Sequence, residues 1–309
     1  MRAATLSMAF LLGVLAGSSR AEEPSPRDQR FEVSLTTEVG LPRGYVQVRE
    51  NDIQGTHLSF HTDLGIDTVE RVTAGAAYHL SDVSRLRLAF DTIFLYGTER
   101  LDSDVLFNGA TLQAGTDLQS RPEFFRLTAL YERQLLDFAR GGGVAADIGL
   151  TYVFLTYKMH GTLSPLSQGG GGQTIARVSS TNSQVAGGGA NPGGTPATVK
   201  EDFLTQELPI PMLGVTFDYP LATNWSFLGT VLGGWLPRVD SLRTEGGTVY
   251  LSQSHVDLSA LLRYRLSACV DLDAGYAFHY YTQHESSHED GNYIQLWDND
   301  LLVAVHYRF

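Results

Sequence analysis

Two stretches of the sequence carry residue types whose spacing could support chemistry. In segment 281–292, His284 precedes Ser286 by two positions, and His288 follows among acidic side chains. A histidine beside a serine can activate the hydroxyl as a nucleophile. Two histidines four positions apart share a face of a helix and could bind a divalent metal there. The segment is polar and nothing in it predicts a helix, so we expect a solvated acidic loop without a metal site.

The second stretch is Asp102-Ser103-Asp104, in which two carboxylates stand two positions apart in a polar segment. Further along, His255 and Asp257 flank Val256. A carboxylate paired with a histidine can activate water for hydrolysis. These residues therefore keep a hydrolase open as an alternative function.

Two enzyme groups share parts of these patterns. The His284-x-Ser286 pair, like His57-x-Ser59 with the later Glu70, resembles the His-x-Ser pair of outer-membrane phospholipases and lipid A deacylases. Those families place asparagine directly after the serine, where this chain has Ser287. The resemblance implies lipid hydrolysis.

The paired aspartates Asp102 and Asp104 resemble those of the omptin proteases, and the stretch 208–216 with Trp235 downstream is also similar. Omptins carry an Asp-x-His in the fourth long loop, whereas segment 236–254 contains no histidine. The nearest match, His255-Val256-Asp257, is reversed. This resemblance implies peptide hydrolysis at the outer rim of a barrel.

The elements that must position these residues are clearest at the end of the chain. Residues 299–309 alternate between apolar and polar side chains and stop on an aromatic. Side chains of a strand point alternately to opposite faces. The pattern resembles the last strand of bacterial outer-membrane β-barrels, in which the final aromatic belongs to the assembly signal. Tyr307 and Phe309 would carry that signal here, which implies the barrel assembly machinery and outer-membrane lipids as partners.

The first residues predict export. Arg2 is followed by an apolar core from Ala4 to Leu15, and Ser19-Arg20-Ala21 has the small-x-small form of a cleavage site. These are the parts of a secretory signal peptide. We therefore expect a signal peptide at 1–21, one barrel domain at 22–309, and a location in the outer membrane of a Gram-negative cell.

Composition agrees with a barrel that has a lipid face and a wet interior. Hydrophobic residues make up 43% of the chain and charged residues 18%, and beyond residue 21 no uninterrupted apolar run is long enough for a membrane helix. The single cysteine, Cys269, excludes an intramolecular disulfide. The net charge of -12 argues against nucleic acid as a partner.

Repeats of the terminal tyrosine motif set the number of strands. Tyr78, Tyr131, Tyr219 and Tyr264 each precede a short polar turn and a new alternating run, as Tyr307 precedes the chain end. Five such strand ends predict an up-and-down antiparallel barrel of about ten strands, with eight or twelve as alternatives. The predicted strands are about 31–40, 69–80, 85–97, 124–133, 144–157, 211–221, 225–235, 255–266, 270–281 and 300–309.

The first three long connections differ from one another in their sequence pattern. Segments 56–66 and 105–117 alternate weakly, so they could lengthen strands above the membrane or add a hairpin. The third long connection holds a glycine-rich extracellular loop at about 161–200, with too little apolar surface to fold alone. An extracellular ligand could bind at these loops.

The polar faces of the predicted strands line a lumen with charges of both signs. In a narrow barrel such groups meet and neutralise one another, which favours a packed network over a pore, although rings of charge also build selective channels. The predicted network comprises Arg71, Arg85, Arg87, Asp91, Asp147, His255, Asp257, Arg263, Arg265, Asp271, Asp273 and Arg308.

The sequence thus predicts an outer-membrane barrel that acts as an envelope structural or binding protein or as a narrow porin-like channel. It predicts no catalytic residue and no cofactor, and an outer-membrane hydrolase is the alternative.

Overall fold

The described part of the chain folds into one antiparallel sheet of 16 strands. The computed structural model describes residues 30–50, 53–139, 141–163, 195–203, 208–244, 248–287 and 290–309. The strands are β1 (Phe31–Glu50), β2 (Ile53–Gln54), β3 (Leu58–Ser59), β4 (Val69–Ser81), β5 (Ser84–Leu95), β6 (Gly97–Arg100), β7 (Val105–Phe107), β8 (Ala110–Leu112), β9 (Asp117–Asp137), β10 (Gly143–Leu163), β11 (Thr195–Phe203), β12 (Ile210–Ala222), β13 (Trp225–Thr244), β14 (Thr248–Arg265), β15 (Val270–Ser286) and β16 (Asp290–Arg308).

Ten of these strands close into a barrel in chain order. The ring is β1, β4, β5, β9, β10, β12, β13, β14, β15 and β16, and β16 pairs with β1 to close it. Closure pairs the backbone groups that an open sheet would leave exposed to lipid. The ten-strand up-and-down barrel predicted from the tyrosine repeats is confirmed.

The two ends of the barrel differ in how they connect the strands. At one end, called the turn end, short turns at 82–83, 138–142, 223–224 and 266–269 join neighbouring strands, and residues 30 and 309 lie beside them. The other end is called the loop end. The predicted signal peptide at 1–21 and residues 164–194 of the glycine-rich loop lie outside the described residues. The flanks of that loop pair as a hairpin, 155–163 with 195–203.

The outside of the barrel carries an apolar belt. Leu301, Leu213 and Ile148 are 73%, 65% and 57% exposed, and many further aliphatic and aromatic side chains of the outer face are also exposed. Tilted strands cross a bilayer with about 9–11 residues, and the barrel strands have from 12 to 21 residues. The fold is therefore that of an outer-membrane β-barrel. Among the described residues, no helix has the length and apolar character to cross a membrane.

The strands extend further at the loop end than the sequence predicts. Strand β1 runs to Glu50 instead of ending near Gly40, and β16 begins at Asp290 instead of near Asp300. The reason is an inversion of polarity along each strand. Above the apolar belt, Val46 and Val48 point inward while Gln47 points outward. Side chains still alternate between the two faces, but above the belt the apolar ones point inward and the polar ones outward. The outward-facing apolar pattern that predicts the strands therefore ends there.

The loop-end half of the barrel is filled by an apolar core. The first two long connections fold into the lumen, where Phe60, Leu64, Ile66, Phe107 and Leu112 are completely buried. They belong to one continuous cluster with inward-facing strand residues. Segment 105–117 forms the added hairpin, β7 with β8, but this hairpin lies outside the ten-strand ring. Segment 56–66 contains β3, which pairs with β1. Both segments contribute side chains to the core. Their weak alternation reflects burial inside the barrel.

The core closes the lumen from wall to wall. Phe124 on β9 and Tyr281 on β15 stand five strands apart in either direction around the ring, yet their ring centroids are only 5.0 Å apart. Just above them, Tyr157 on β10 packs against Phe60 and Phe107 of the inserted connections, at 6.4 Å and 5.6 Å. The side chains inside the loop-end half of the barrel therefore pack against one another as they do in the core of a soluble protein.

Candidate functional site

The turn-end half of the lumen is lined by charged side chains in two layers. We call the upper one, directly below the apolar core, the middle layer, and the lower one the turn-end layer. The middle layer consists of Glu38, Arg71, Asp91, Arg126, Asp257, His279, Asp298 and Asp300. The turn-end layer consists of Glu32, Arg85, Arg87, Glu132, Asp147, Asp218, Arg263, Arg265, Asp271, Asp273, His306 and Arg308. Strand alternation places these side chains on the inner face.

Arg126 links opposite walls of the middle layer. Its Nε donates to Asp91 on the neighbouring strand β5 at 2.5 Å, and its Nη1 donates to both oxygens of Asp257 on β14 at 3.0 Å and 2.8 Å. Strands β9 and β14 lie four positions apart in the ring. Thr73 also donates to Asp91, at 2.6 Å. One guanidinium group thus spans the lumen and donates hydrogen bonds to two carboxylates.

Arg71 is the second cation of this layer and is 2% exposed. Its Nη2 donates to Asp298 Oδ1 and Oδ2 at 3.3 Å and 3.2 Å. Its Nε lies 3.8 Å from Glu38 and makes no hydrogen bond among the described residues. An isolated buried charge is costly, so Arg71 must stay close to its carboxylate partners. Its contact with Asp298 therefore constrains the distance between β4 and β16.

His279 lies between two carboxylates. Its Nδ1 is 2.6 Å from Asp257 Oδ1, and its Nε2 is 2.7 Å from Glu38 Oε2. Since carboxylates only accept, both ring nitrogens donate in this arrangement. The ring joins β1, β14 and β15, and Asp257 connects it to Arg126. Asp300 Oδ2 lies a further 3.9 Å from Nε2.

On one side of the turn-end layer, Glu132 is held by two arginines. Arg85 donates from Nε and Nη2 to its two oxygens, both at 2.8 Å, in the bidentate geometry that arginine favours. Arg87 Nη1 donates to Glu132 at 3.0 Å and lies 3.5 Å from Asp147. Thr216 donates to the other oxygen of Asp147 at 2.9 Å.

The opposite side of this layer is built in the same way. Arg263 donates to both oxygens of Asp273 at 2.7 Å, and His306 lies 3.0 Å from Asp273 and 2.9 Å from Glu32. Asp271 takes a 2.8 Å hydrogen bond from Arg308 and a longer contact of 3.5 Å from Arg265, which is half-exposed.

A cavity of about 460 Å³ lies between the two layers and reaches the turn end at Asp82–Ser84. Its lining includes Glu38, Arg126 and His279 at the top and Arg87 and Arg263 lower down. The apolar core lies above it. The charged half is therefore a vestibule that approaches the turn end, closed above by packed side chains.

The predicted network residues lie on the inner face, with one at its margin. His255 is buried at the border with the apolar core, where its ring packs on Tyr281 at 4.6 Å. Among the described residues its Nε2 makes no hydrogen bond. It therefore contacts the core more than the charge network.

The predicted network lacks six acidic residues of the two layers: Glu32, Glu38, Glu132, Asp218, Asp298 and Asp300. The signal for the first two was present, because Glu32, Ser34, Thr36 and Glu38 alternate along β1 opposite an apolar face. Asp298 precedes the predicted start of the last strand, in the region where the polarity of the two faces inverts. Its side chain therefore could not be assigned to the inner face from the sequence.

The residues considered as hydrolase candidates lie outside the two charged layers. His284 points outward on β15, with its ring 5.8 Å from that of Tyr293, and no hydrogen bond joins it to Ser286 among the described residues. Partial burial, with Arg238 and Arg49 nearby, lowers the pKa of His284. His288 lies outside the described residues.

The other two candidate motifs serve local structure. The ring of His57 packs at a tilt against that of Tyr45, with the centroids 4.0 Å apart, and the Ser59 hydroxyl accepts a hydrogen bond from the Thr62 amide within a turn. Asp104 accepts a 2.7 Å hydrogen bond from the amide of Ala114, which fixes the second connection, and Asp102 is exposed. Nothing in these contacts assembles a nucleophile with a base.

The terminal aromatics lie at the turn end on the outer face. Tyr307 is 38% and Phe309 53% exposed. The ring of Phe309 stacks on Phe31 at 5.9 Å, and the two residues exchange backbone hydrogen bonds. Most of the Phe309 side chain thus remains accessible at the seam where the barrel closes.

Known structures similar to this chain are membrane barrels, at low sequence identity. The outer membrane protease OmpT from Escherichia coli aligns over 94% of this chain and 99% of its own, with 11% identity and a TM-score of 0.47. The translocator domain of the autotransporter NalP from Neisseria meningitidis aligns over 99% and 96%, with 11% identity and a TM-score of 0.36. OprG from Pseudomonas aeruginosa aligns over 91% and 96%, with 10% identity and a TM-score of 0.34. No family model and no curated protein matches the chain.

Proposed function

We propose that this protein is an outer-membrane barrel of a Gram-negative cell that works with its lumen closed, as a structural or binding component of the envelope. It is exported by its signal peptide, contacts outer-membrane lipids through the apolar belt, and presents Phe309 to the barrel assembly machinery. Its loops face the outside of the cell and its vestibule faces the periplasm.

The observation that carries this proposal is the apolar core across the loop-end half. An apolar constriction closes a pore by excluding water, and Phe124 contacts Tyr281 across the full width of the barrel. Below this contact, Arg126 spans the lumen as well. Two barriers of different chemistry therefore lie in series.

Planar-bilayer recording tests the proposal. We expect no conductance steps from the purified full-length barrel at moderate voltage. A variant in which a Gly-Ser linker replaces residues 97–116 and alanine replaces Phe124, Tyr281 and Arg126 removes both barriers and should show conductance, which provides a positive control for insertion. Stable single-channel steps from the unaltered protein would overturn the proposal.

A narrow channel is the second candidate, and the vestibule favours it. The cavity of about 460 Å³ carries arginines and carboxylates where ions would enter from the periplasm. Conduction would then require the inserted connections to leave the lumen. Ion-selective steps that appear only after a stimulus, and vanish when residues 53–68 are tethered to the wall by a disulfide, would support this candidate over the closed barrel.

A further inference from the structure

The middle layer carries more negative than positive groups. Five carboxylates face two guanidinium groups and one imidazole in this layer, so two negative charges remain uncompensated even when His279 is protonated. Buried carboxylates need a compensating positive charge or a proton. The excess is located around Asp300, since Arg71 and Arg126 are already engaged with Asp298, Asp91 and Asp257.

Asp300 is the most unusual of these carboxylates. It is 1% exposed, and neither of its side-chain oxygens makes a hydrogen bond among the described residues. Its Oδ2 points toward His279 Nε2, 3.9 Å away. The carboxylate fits beside β1 only because residue 40 is glycine, since a Cβ there would overlap Asp300 Oδ1. An acidic group is thus built into the lumen wall, and none of the described residues donates a hydrogen bond to it.

The ligand atoms around this gap have the spacing of a metal site. One atom each from Glu38, His279 and Asp300 lies within 4.8 Å of the others. Nε2 is 2.7 Å from the glutamate and 3.9 Å from the aspartate. A tetrahedral ion with ligands at about 2.0–2.2 Å spaces them roughly 3.4 Å apart, so these two distances need to change by less than about 1 Å.

The surroundings of His279 support the same assignment. Its other nitrogen, Nδ1, donates to Asp257, and Arg126 holds that carboxylate in place. A carboxylate behind a histidine ligand is the usual second partner in metal sites, because it fixes the ring and raises the basicity of Nε2. The vestibule provides an entry path, since it is lined by Glu38 and His279.

We propose that Glu38, His279 and Asp300 bind a divalent first-row transition-metal ion, with Zn²⁺ as the reference case. Binding displaces the Nε2 proton of His279, which leaves through the vestibule, and one coordination position stays open toward that cavity. The ion brings two positive charges and the departing proton removes one, so the excess of negative charge in the layer falls from two to one. Arg71 disfavours a nearby cation, but Asp298 already compensates it. The site goes beyond the closed-barrel function and does not depend on it.

Zinc binding to the purified full-length barrel tests this proposal. The protein is stripped with a chelator, equilibrated with Zn²⁺ by dialysis, and analysed for bound metal. We expect one ion per barrel in the unaltered protein. Asp300→Asn and Glu38→Gln keep side-chain size but remove a ligand charge, so each should weaken binding at least about tenfold. His284→Gln, which alters the exposed histidine of β15, should bind as the unaltered protein does.

Folding of each variant is checked by its shift in gel mobility on heating. If neither ligand variant folds, the unfolding temperature decides, because an ion that binds only the folded state raises it. A zinc-dependent rise in both the unaltered protein and His284→Gln supports the site. Absence of binding, binding unchanged in Asp300→Asn or Glu38→Gln, or binding lost in His284→Gln would overturn it.

Discussion

The two halves of this barrel are inside-out with respect to each other. At the turn end the outer face is apolar and the inner face charged, as for Leu301 and Asp300 on β16. At the loop end of the same strand, Ile294 points inward and Gln295 outward. Lipid surrounds the first half and water the second, so the medium outside decides which face can be apolar.

The halves also close the lumen by different physical means. The apolar core of the loop end closes by volume, since packed side chains exclude water without directional bonds. The charged layers close by pairing, which stabilises only when nearly every partner is present. Loss of one group should therefore be more harmful in the charged half than in the apolar half.

The largest effect is expected at Arg126. Replacement by methionine keeps most of the volume but leaves Asp91 and Asp257 buried without their shared partner, at a cost of about 3–5 kcal/mol in unfolding free energy. Urea unfolding in lipid vesicles, followed by tryptophan fluorescence, measures it. Arg265→Met is the matched control, because that side chain is 54% exposed and its contact with Asp271 is 3.5 Å long. Equal losses in both variants would mean that the charged network is not cooperative.

A smaller effect is expected from Leu64→Ala in the apolar core. Leu64 is fully buried in the first long connection, and its truncation should cost about 2–3 kcal/mol, at the low end for leucine because an inserted loop can collapse around the gap. The same unfolding assay measures it, and Leu213→Ala on the exposed outer face is the control for loss of side-chain area. A loss larger than that of Arg126→Met would reverse the proposed order of the two halves.

The smallest effect is expected at the outer surface of the loop end. Lys158 lies 2.8 Å from Glu123, and both side chains are about one-third exposed. Lys158→Met should change stability by less than about 1 kcal/mol, because solvent screens the pair. The difference should also vanish in high salt. A loss that persists in high salt would show that the outer face also relies on charge pairing.

The difference between the two halves also explains which features of the fold the sequence predicts. Tyr78, Tyr131 and Tyr307 mark turn-end strand ends, where polarity has one sense, so the ten strands and their inner faces could be predicted. Above the apolar belt the inner face becomes apolar, so a pattern with apolar residues on the outer face could not be extended there. This is why the sequence placed the start of β16 near Asp300 instead of at Asp290.

The candidate site was predictable only in part. Arg85, Asp273 and Arg308 could be assigned to the lumen from alternation, but the partner of each depends on register and on contacts across the ring. The 2.8 Å bond between Arg126 and Asp257 joins residues 131 positions apart, and no local pattern encodes it. The sequence also does not show that Phe60 and Phe107, in the first two long connections, pack inside the lumen.

Thiol labelling from water tests the closed lumen most directly. In a Cys269→Ser background, Ser259→Cys places a thiol in the vestibule and Ala110→Cys places one in the apolar core. A membrane-impermeant maleimide is added to the folded barrel in vesicles permeable to it. We predict labelling of Ser259→Cys in the folded state and of Ala110→Cys only after unfolding. Labelling of Ala110→Cys in the folded barrel, as fast as in the unfolded chain, would contradict the closed lumen.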